Sequence, residues 1–433
     1  MLTATREAPL TDAQELLCEL DRATGGQVFH PRFITRTVYE VNGPVDADVL
    51  HAALGDVVAR HGALRTVVVR DGLRAHQRVL PPMPARLAVS TLDSVVLAEE
   101  FAASVCRRDH PCDEPPLLWA YLGRYGADRA LLVLVAHHTA ADAWSQWLVA
   151  RDLRAAYTAR VRGTAPLDAD VLQYADISAQ ERGGTALSRL RRTVPYWRER
   201  LAGIDPPGPR AARPVPGGPL GDRADLRFPI GEHAWNAVTA AARRARTTPF
   251  TLLLTALTAA LFAGGDAAEA FVPVVTAGRL PAQWRTVGFL LNVLPIRVDL
   301  SGVMRSDEAD LSELQRRVDR TCRLAYANDI PVRHALPEIL AVLSRPGRVP
   351  PVFRLISYPP IAESTPDSAL PLRLILEDYQ PPLAVPTPLL WTVRVDGPPA
   401  GYVSYDPLLF SASWVDRRVT GFRRVLGELG APP

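Results

Sequence analysis

The run Ala130-Leu131-Leu132-Val133-Leu134-Val135-Ala136 constrains this chain more than any other feature. Seven successive apolar residues with valines among them read as a central strand, because a strand buried on both faces shows a continuous apolar run rather than alternation. The run stops abruptly at His137-His138 and a small-residue loop, Thr139-Ala140-Ala141-Asp142-Ala143. A helix is expected to follow, with Trp144, Trp147, Leu148 and Ala155 on one face. A covered central strand feeding a helix implies a layered α/β or mixed α+β fold.

The remaining patterns agree. Thr11 to Ala23 and Ala47 to His61 read as helices entered from Thr11 and Asp46, and Phe33 to Val41 and Leu64 to Val69 as strands, the latter buried. Beyond the middle of the chain, helices are expected at Leu187 to Leu201, Ala234 to Arg246, Thr251 to Phe262, Asp307 to Tyr326 and Ser413 to Leu429. Strands are expected at Ala270 to Thr276, Val293 to Leu300, Val352 to Ser357, Leu372 to Leu376, Leu389 to Val395 and Ala400 to Tyr405. Between Ile204 and Leu220 stand six prolines and three glycines in seventeen residues, a stretch that cannot hold a helix and has little to bury. The expected division is therefore 1–180 as a first lobe, 181–222 as a connector helix and Pro-rich linker, and 223–433 as a second lobe.

Composition narrows the chemistry. All 49 basic residues are Arg and none is Lys. That excludes a P-loop of the G-x-x-x-x-G-K-[ST] kind, a Schiff-base lysine and a Lys general base. The net charge of +3 is spread among 46 acidic residues, so no concentrated basic stripe points to nucleic acid. Cys18, Cys106, Cys112 and Cys322 have neither zinc nor thioredoxin spacing and read as reduced thiols. Met1 to Asp12 carries Arg6, Glu7 and Asp12 without an apolar core, and the longest apolar stretch, Leu252 to Gly264, falls short of the roughly 20 residues a membrane helix needs. The expectation is a soluble cytoplasmic protein.

Adjacent side chains at a strand end point to opposite sides, so one of His137 and His138 can face a cleft while the other anchors the loop. Neutral imidazole suits proton movement near pH 7. Taken alone, the pattern supports equally a hydrogen-bonded core histidine, with Asp142 as an acidic first-turn residue of a capping box. A metal site is disfavoured, since consecutive histidines on a strand diverge.

His137-His138-Thr139-Ala140-Ala141-Asp142 resembles the H-H-x-x-x-D-G signature of nonribosomal peptide synthetase condensation domains, within the chloramphenicol acetyltransferase-like superfamily. Other landmarks follow in the family's order. Leu10-Thr11-Asp12-Ala13-Gln14 resembles S-x-A-Q, Arg60-His61-Gly62-Ala63-Leu64-Arg65-Thr66 is similar to R-H-x-x-L-R-T, and Tyr174-Ala175-Asp176 to Y-x-D. In the second half, Phe271 to Arg279 resembles the strand ending in Arg, Val287 to Arg297 the G-x-F-x-N-x-x-x-x-R element, Asn328 to Pro331 the Q-D-x-P element, and Pro351 to Ser357 a degenerate last element.

The resemblance implies two acetyltransferase-like lobes in a V with an active-site tunnel between them. It implies His138 as the catalytic histidine, His137 and Asp142 as structural support, and Arg279 as the partner of Asp142 across the lobes. Ala143, Trp144, Asn292 and Ser357 become candidate tunnel residues, and satisfied polar groups at strand ends are an equal reading for Asn292 and Ser357. The implied reaction is transfer of a carrier-bound acyl or aminoacyl thioester to an amine or alcohol. The phosphopantetheine arm arrives on a carrier protein in trans, with no metal, nucleotide or redox cofactor bound. A polyketide-type acyltransferase and a non-catalytic carrier-docking module are the alternatives. One departure stands out: the family's Gly is Ala143 here, which adds a methyl and removes access to unusual φ. It reads either as a modest narrowing compatible with catalysis or as an altered acceptor or weakened enzyme.

Overall fold

The computed structural model describes residues 4–70, 74–93, 95–125, 128–165, 167, 170–204, 223–262, 267–304, 310–335, 337–339, 350–358, 367–375 and 388–431. The Pro-rich part of the expected connector, 205–222, lies outside them. In chain order the elements are β1 (Arg6–Pro9), α1 (Asp12–Ala23), β2 (Ile34–Asn42), α2 (Ala47–Arg60), β3 (Thr66–Val69), β4 (His76–Val79), β5 (Arg86–Thr91), α3 (Val95–Cys106), β6 (Leu118–Arg124), β7 (Arg129–His137), α4 (Ala143–Arg162), α5 (Tyr174–Glu181) and α6 (Gly184–Leu201). They continue with β8 (Ala224–Pro229), α7 (Glu232–Arg244), α8 (Pro249–Phe262), β9 (Glu269–Thr276), β10 (Asn292–Asp299), α9 (Leu311–Ala327), β11 (Val352–Ile356), β12 (Leu372–Leu374), β13 (Leu389–Arg394), β14 (Ala400–Tyr405) and α10 (Ala412–Gly430).

The chain forms two compact units, each assembled from three segments. One comprises Met1–Leu187, Ala277–Leu291 and Tyr358–Ala384; the other comprises Ser188–Thr276, Asn292–Ser357 and Val385–Pro433. The later half of the sequence thus contributes two segments to the first unit.

In the first unit a five-stranded sheet runs in the order β12-β2-β7-β6-β5. The apolar run occupies its centre as β7, antiparallel to both β2 and β6. Its side chains alternate as a strand's must: Ala130, Leu132, Leu134 and Ala136 enter a core shared with α2 and α4, while Val133 and Val135 enter one shared with Phe101 and Val105 of α3. Both faces are covered, which is why the run is apolar throughout. The edge strand β12 pairs with β2, and Glu40 of β2 accepts from Arg129 and Arg373. Those bonds hold its carboxyl down at about 2.

The stretch expected as a strand from Leu64 divides in two. Gly62–Arg65 is a 3₁₀ turn, and only Thr66–Val69 is extended, in a small sheet of order β1-β4-β3. Arg65 explains the turn, because its guanidinium folds inward and donates to the carbonyls of Val58, Ala59 and Leu80. His61 and Arg60, just before it, both meet the buried carboxylate of Asp152, at 2.9 and 3.1 Å. Burial alone would raise the Asp152 pKa, but His61 and Arg151 hold it at about 2.

The second unit is built on a six-stranded sheet of order β10-β9-β11-β13-β14-β8. Helix α8 is buried from Thr251 to Phe262, which accounts for its nearly unbroken apolar sequence. Phe228, Trp391 and Phe422 pack edge to face or tilted, with centroids 5.7 to 6.1 Å apart. Gly401 makes room for them: a Cβ there would stand 2.0 Å from the Phe228 ring. Among the described residues no single helix is long and apolar enough to cross a membrane. Cys18, Cys112 and Cys322 are free thiols, raised by burial to about 11, 11 and 12.

Three buried histidines give folding a pH dependence of known sign. Burial lowers the pKa of His61, takes His110 to about 4 and takes His137 to about 3. An unfolded chain protonates all three below about 6.5, whereas burial in the folded one opposes it, so these histidines withdraw stability as pH falls through that value. His110 and His137 account for a loss of about 2 kcal/mol between pH 6 and pH 5, of which the Glu181 carboxyl, raised by burial to about 7, offsets about 1. Denaturant titrations at the two values measure it, and an unchanged midpoint would contradict the burial of these imidazoles in neutral form.

Candidate active site

Strand β7 ends at His137, and the chain turns through Thr139-Ala140-Ala141 to Asp142, which caps α4. Asp142 has extended backbone (φ −106°, ψ −175°), and its Oδ1 accepts from the Ser145 N–H at 2.9 Å. The aspartate is therefore the N-cap itself, not a first-turn residue of a helix capped earlier. Ala143 is the first helical residue, half-buried. Among the described residues only Arg246 is a non-glycine with positive φ, so Ala143 adopts ordinary backbone geometry without strain.

The two histidines are held in opposite tautomers. His137 Nδ1 accepts from the Thr139 N–H at 3.3 Å and lies 2.8 Å from the Thr139 hydroxyl. Its proton is therefore on Nε2, which donates to the His30 carbonyl at 3.2 Å. His138 Nδ1 lies 2.7 Å from the Ala141 carbonyl. A carbonyl only accepts, so Nδ1 carries the proton and Nε2 is the basic nitrogen of the neutral ring. Phe33 packs on this imidazole at a centroid distance of 4.8 Å, and Phe289 meets it edge to face at 5.1 Å.

The segment carrying Phe289 is fastened to the start of α4. Arg279 donates from Nη1 to Asp142 Oδ2 at 2.7 Å and from Nη2 to Asp142 Oδ1 at 2.9 Å, a bidentate pair with side chains only 1% and 3% exposed. Oδ2 also accepts from the Leu290 N–H at 3.0 Å. Burial by itself would raise the Asp142 pKa, but the Arg279 charge and these hydrogen bonds override it and hold the carboxylate ionised. Ser145 adds a second clasp: its hydroxyl donates to the Gly288 carbonyl at 2.8 Å and accepts from the Gly288 N–H at 3.0 Å and from Arg279 at 2.9 Å. Trp144 donates to the Trp284 carbonyl at 3.0 Å and lies under the Arg279 guanidinium at 5.9 Å. Asp142 and Arg279 are thus partners, as expected, but within one unit, because 277–291 groups with the first segment.

His137, His138, Asp142, Ala143, Trp144 and Arg279 accordingly gather around one turn. Asn292 and Ser357 belong to the second unit. Asn292 donates to Asp329 and to the Ile330 carbonyl, both at 2.7 Å, and accepts from the Val332 N–H at 2.8 Å, so its amide fastens the 329–332 loop. Ser357 is exposed just past β11. Sequence reasoning did not single out Ser145, Phe33 or His30, and it read Gly288 and Phe289 only as parts of a longer element. A small hydroxyl one turn into a capped helix gives no signal until its distant partner is known. Among the described residues no three His, Cys, Asp or Glu side chains are grouped to hold a metal ion.

A family model described as "Condensation domain" matches residues 5–334. The probable non-canonical nonribosomal peptide synthetase CymA of Salinispora arenicola is 35% identical over 347 residues, which cover 76% of this chain and 4% of that protein. Phosphinothricin tripeptide synthetase PhsC of Streptomyces viridochromogenes is 31% identical, with 76% of this chain and 31% of its own length covered. The chain therefore spans only a small part of these relatives. Among solved structures, SgcC5 of Streptomyces globisporus, crystallised with (R)-(-)-1-(2-naphthyl)-1,2-ethanediol and sucrose, is 31% identical with a TM-score of 0.81, covering 98% of this chain and 99% of that one.

Removing one member of the Asp142–Arg279 pair leaves a buried, uncompensated charge. Arg279→Ala is expected to cost about 3 to 5 kcal/mol of folding stability. Arg279→Lys should recover little, since an ammonium cannot make the bidentate contact. Equilibrium unfolding of both variants reads the difference, and a lysine variant as stable as the parent would refute the bidentate requirement.

Proposed function

The chain belongs to the condensation-domain family, and on that premise we propose that it transfers an acyl or aminoacyl group from a carrier-protein thioester to an amine or alcohol acceptor. The observation that carries this reading is the His138 tautomer, with Nδ1–H on the Ala141 carbonyl and Nε2 as the basic nitrogen. A base must offer a lone pair at neutral pH in a fixed direction, and that bond provides it. Asp142 is committed to Arg279, Ser145 and Leu290, which fits positioning rather than proton relay.

In the proposed step His138 Nε2 accepts a hydrogen bond from the acceptor's N–H or O–H while its nitrogen or oxygen adds to the thioester carbonyl carbon. A new C–N or C–O bond forms. The proton passes to Nε2, the tetrahedral adduct collapses, the C–S bond breaks, and the proton leaves on the carrier's phosphopantetheine thiol. The thioester is already activated, so the step as written needs no metal, nucleotide or redox cofactor. Holding both reactants together contributes the larger part, since effective molarities are worth roughly 7 to 11 kcal/mol. The SgcC5 crystal with a bound diol supports alcohols among the acceptors.

Incubation with an acyl-loaded carrier and a panel of amines and alcohols, read by product mass, tests the proposal. His138→Ala should lower kcat by about 10²- to 10⁴-fold, leaving a measurable remainder. Carrier binding with no product from either protein would replace this reading with a docking module, and an ester-only product spectrum would favour the polyketide-type acyltransferase.

A further inference from the structure

His138 is gripped between two aromatic rings, and each is tied back to the fold by its own hydrogen bonds. On the Phe33 side, the His138 N–H donates to the Phe33 carbonyl at 2.8 Å, and His137 holds the same loop through the His30 carbonyl. On the Phe289 side the tie is Tyr174, the first residue of α5. Its hydroxyl donates to the Phe289 carbonyl at 2.8 Å and accepts from Thr11 Oγ at 3.1 Å. Thr11 is itself fixed, because its hydroxyl accepts from the Gln14 N–H and its N–H donates to Gln14 Oε1, which is the capping box of α1.

The ring of Tyr174 adds a steric constraint to the polar one. It lies against Gly288, where a Cβ would come within 2.5 Å of its Cδ2. Tyr174 therefore fixes residues 288 and 289 from two sides, by contact with one and by a hydrogen bond to the next. Ser145 holds Gly288 from the opposite direction, and Asp142 takes the Leu290 N–H. Three successive residues beside His138 thus have separate anchors. Burial pushes the Tyr174 hydroxyl pKa up, so it remains a donor across the working pH range.

We infer that Tyr174 is a positioning residue for acyl transfer: by holding the Phe289 carbonyl and packing on Gly288, it sets the Phe289 ring in its T-shaped contact with the His138 imidazole and so fixes the direction of Nε2. This rests on His138 being the reacting base. The route runs from the cap of α1, through the start of α5, to the segment that returns from the later half of the chain. The substrate does not touch Tyr174 in this scheme, which separates its role from that of His138.

Tyr174→Phe removes only the hydroxyl, and Phe289→Leu removes the ring it holds. In the full chain, Tyr174→Phe should lower kcat by about ten- to a hundredfold with KM within about twofold, as expected for a misdirected reacting group with binding intact. Phe289→Leu should reproduce the loss even if Tyr174→Phe folds poorly. Selective ¹³C,¹⁵N labelling of histidine gives a readout independent of turnover: both variants should move the His138 ring-proton shifts as the Phe289 ring current is displaced or lost. A Tyr174→Phe protein with parental kcat, or with parental His138 shifts, overturns the inference. If the parent itself transfers no acyl group, the proposed reaction fails, and the histidine spectra still report whether Tyr174 orients the ring.

Discussion

The Asp142–Arg279 pair is the contact on which the candidate site most depends. One carboxylate performs three tasks: it caps α4 through the Ser145 N–H, takes both arms of a guanidinium, and receives the Leu290 N–H. An isolated carboxylate this deeply buried would be strongly disfavoured, and only the combination of charge and well-directed donors makes it tolerable. The arrangement also joins segments far apart in sequence, because the donors come from residues 145, 279 and 290. Loss of the carboxylate would disturb the helix start and the returning segment together.

Much of this was legible in advance, and the reasons are specific. The seven apolar residues of β7, ending abruptly at two histidines and a small-residue loop, read as a strand covered on both sides, and the structure provides α2 and α4 on one face and α3 on the other. Helix entries at Thr11 and Asp46 were readable because capping is a local interaction between residues two or three apart. Expected strand and helix limits in the later half fall within a few residues of those observed for β9, β10, β13, β14 and α10. What escaped was long-range. Nothing local in Leu64-Arg65 announces that the guanidinium turns inward, and nothing near Gly288 announces the ring of Tyr174, 114 positions earlier. Where Ala277–Leu291 and Tyr358–Ala384 pack is likewise a matter of tertiary contact, invisible to periodicity.

The exclusive use of Arg acquires a structural meaning here. Arg65, Arg200, Arg297 and Arg418 direct guanidinium groups at backbone carbonyls, and Arg279 engages a carboxylate with both arms. A planar fork with several donors can satisfy two or three acceptors at once, as Arg65 does, whereas an ammonium offers one compact point of charge. A chain without Lys has lost no structural option at these positions.

The three-segment make-up of the first unit also has a consequence for synthesis. Its sheet lacks the β12 edge until Leu374 has been made, and Asp142 lacks its cation until Arg279 has. A nascent chain paused after residue 187 would carry the histidine turn without its Phe289 wall, an open edge on β2 and a carboxylate without its cation. The histidine turn is thus written early in the message and assembled late, so a fragment cut at the apparent midpoint would inherit the motif but not its surroundings.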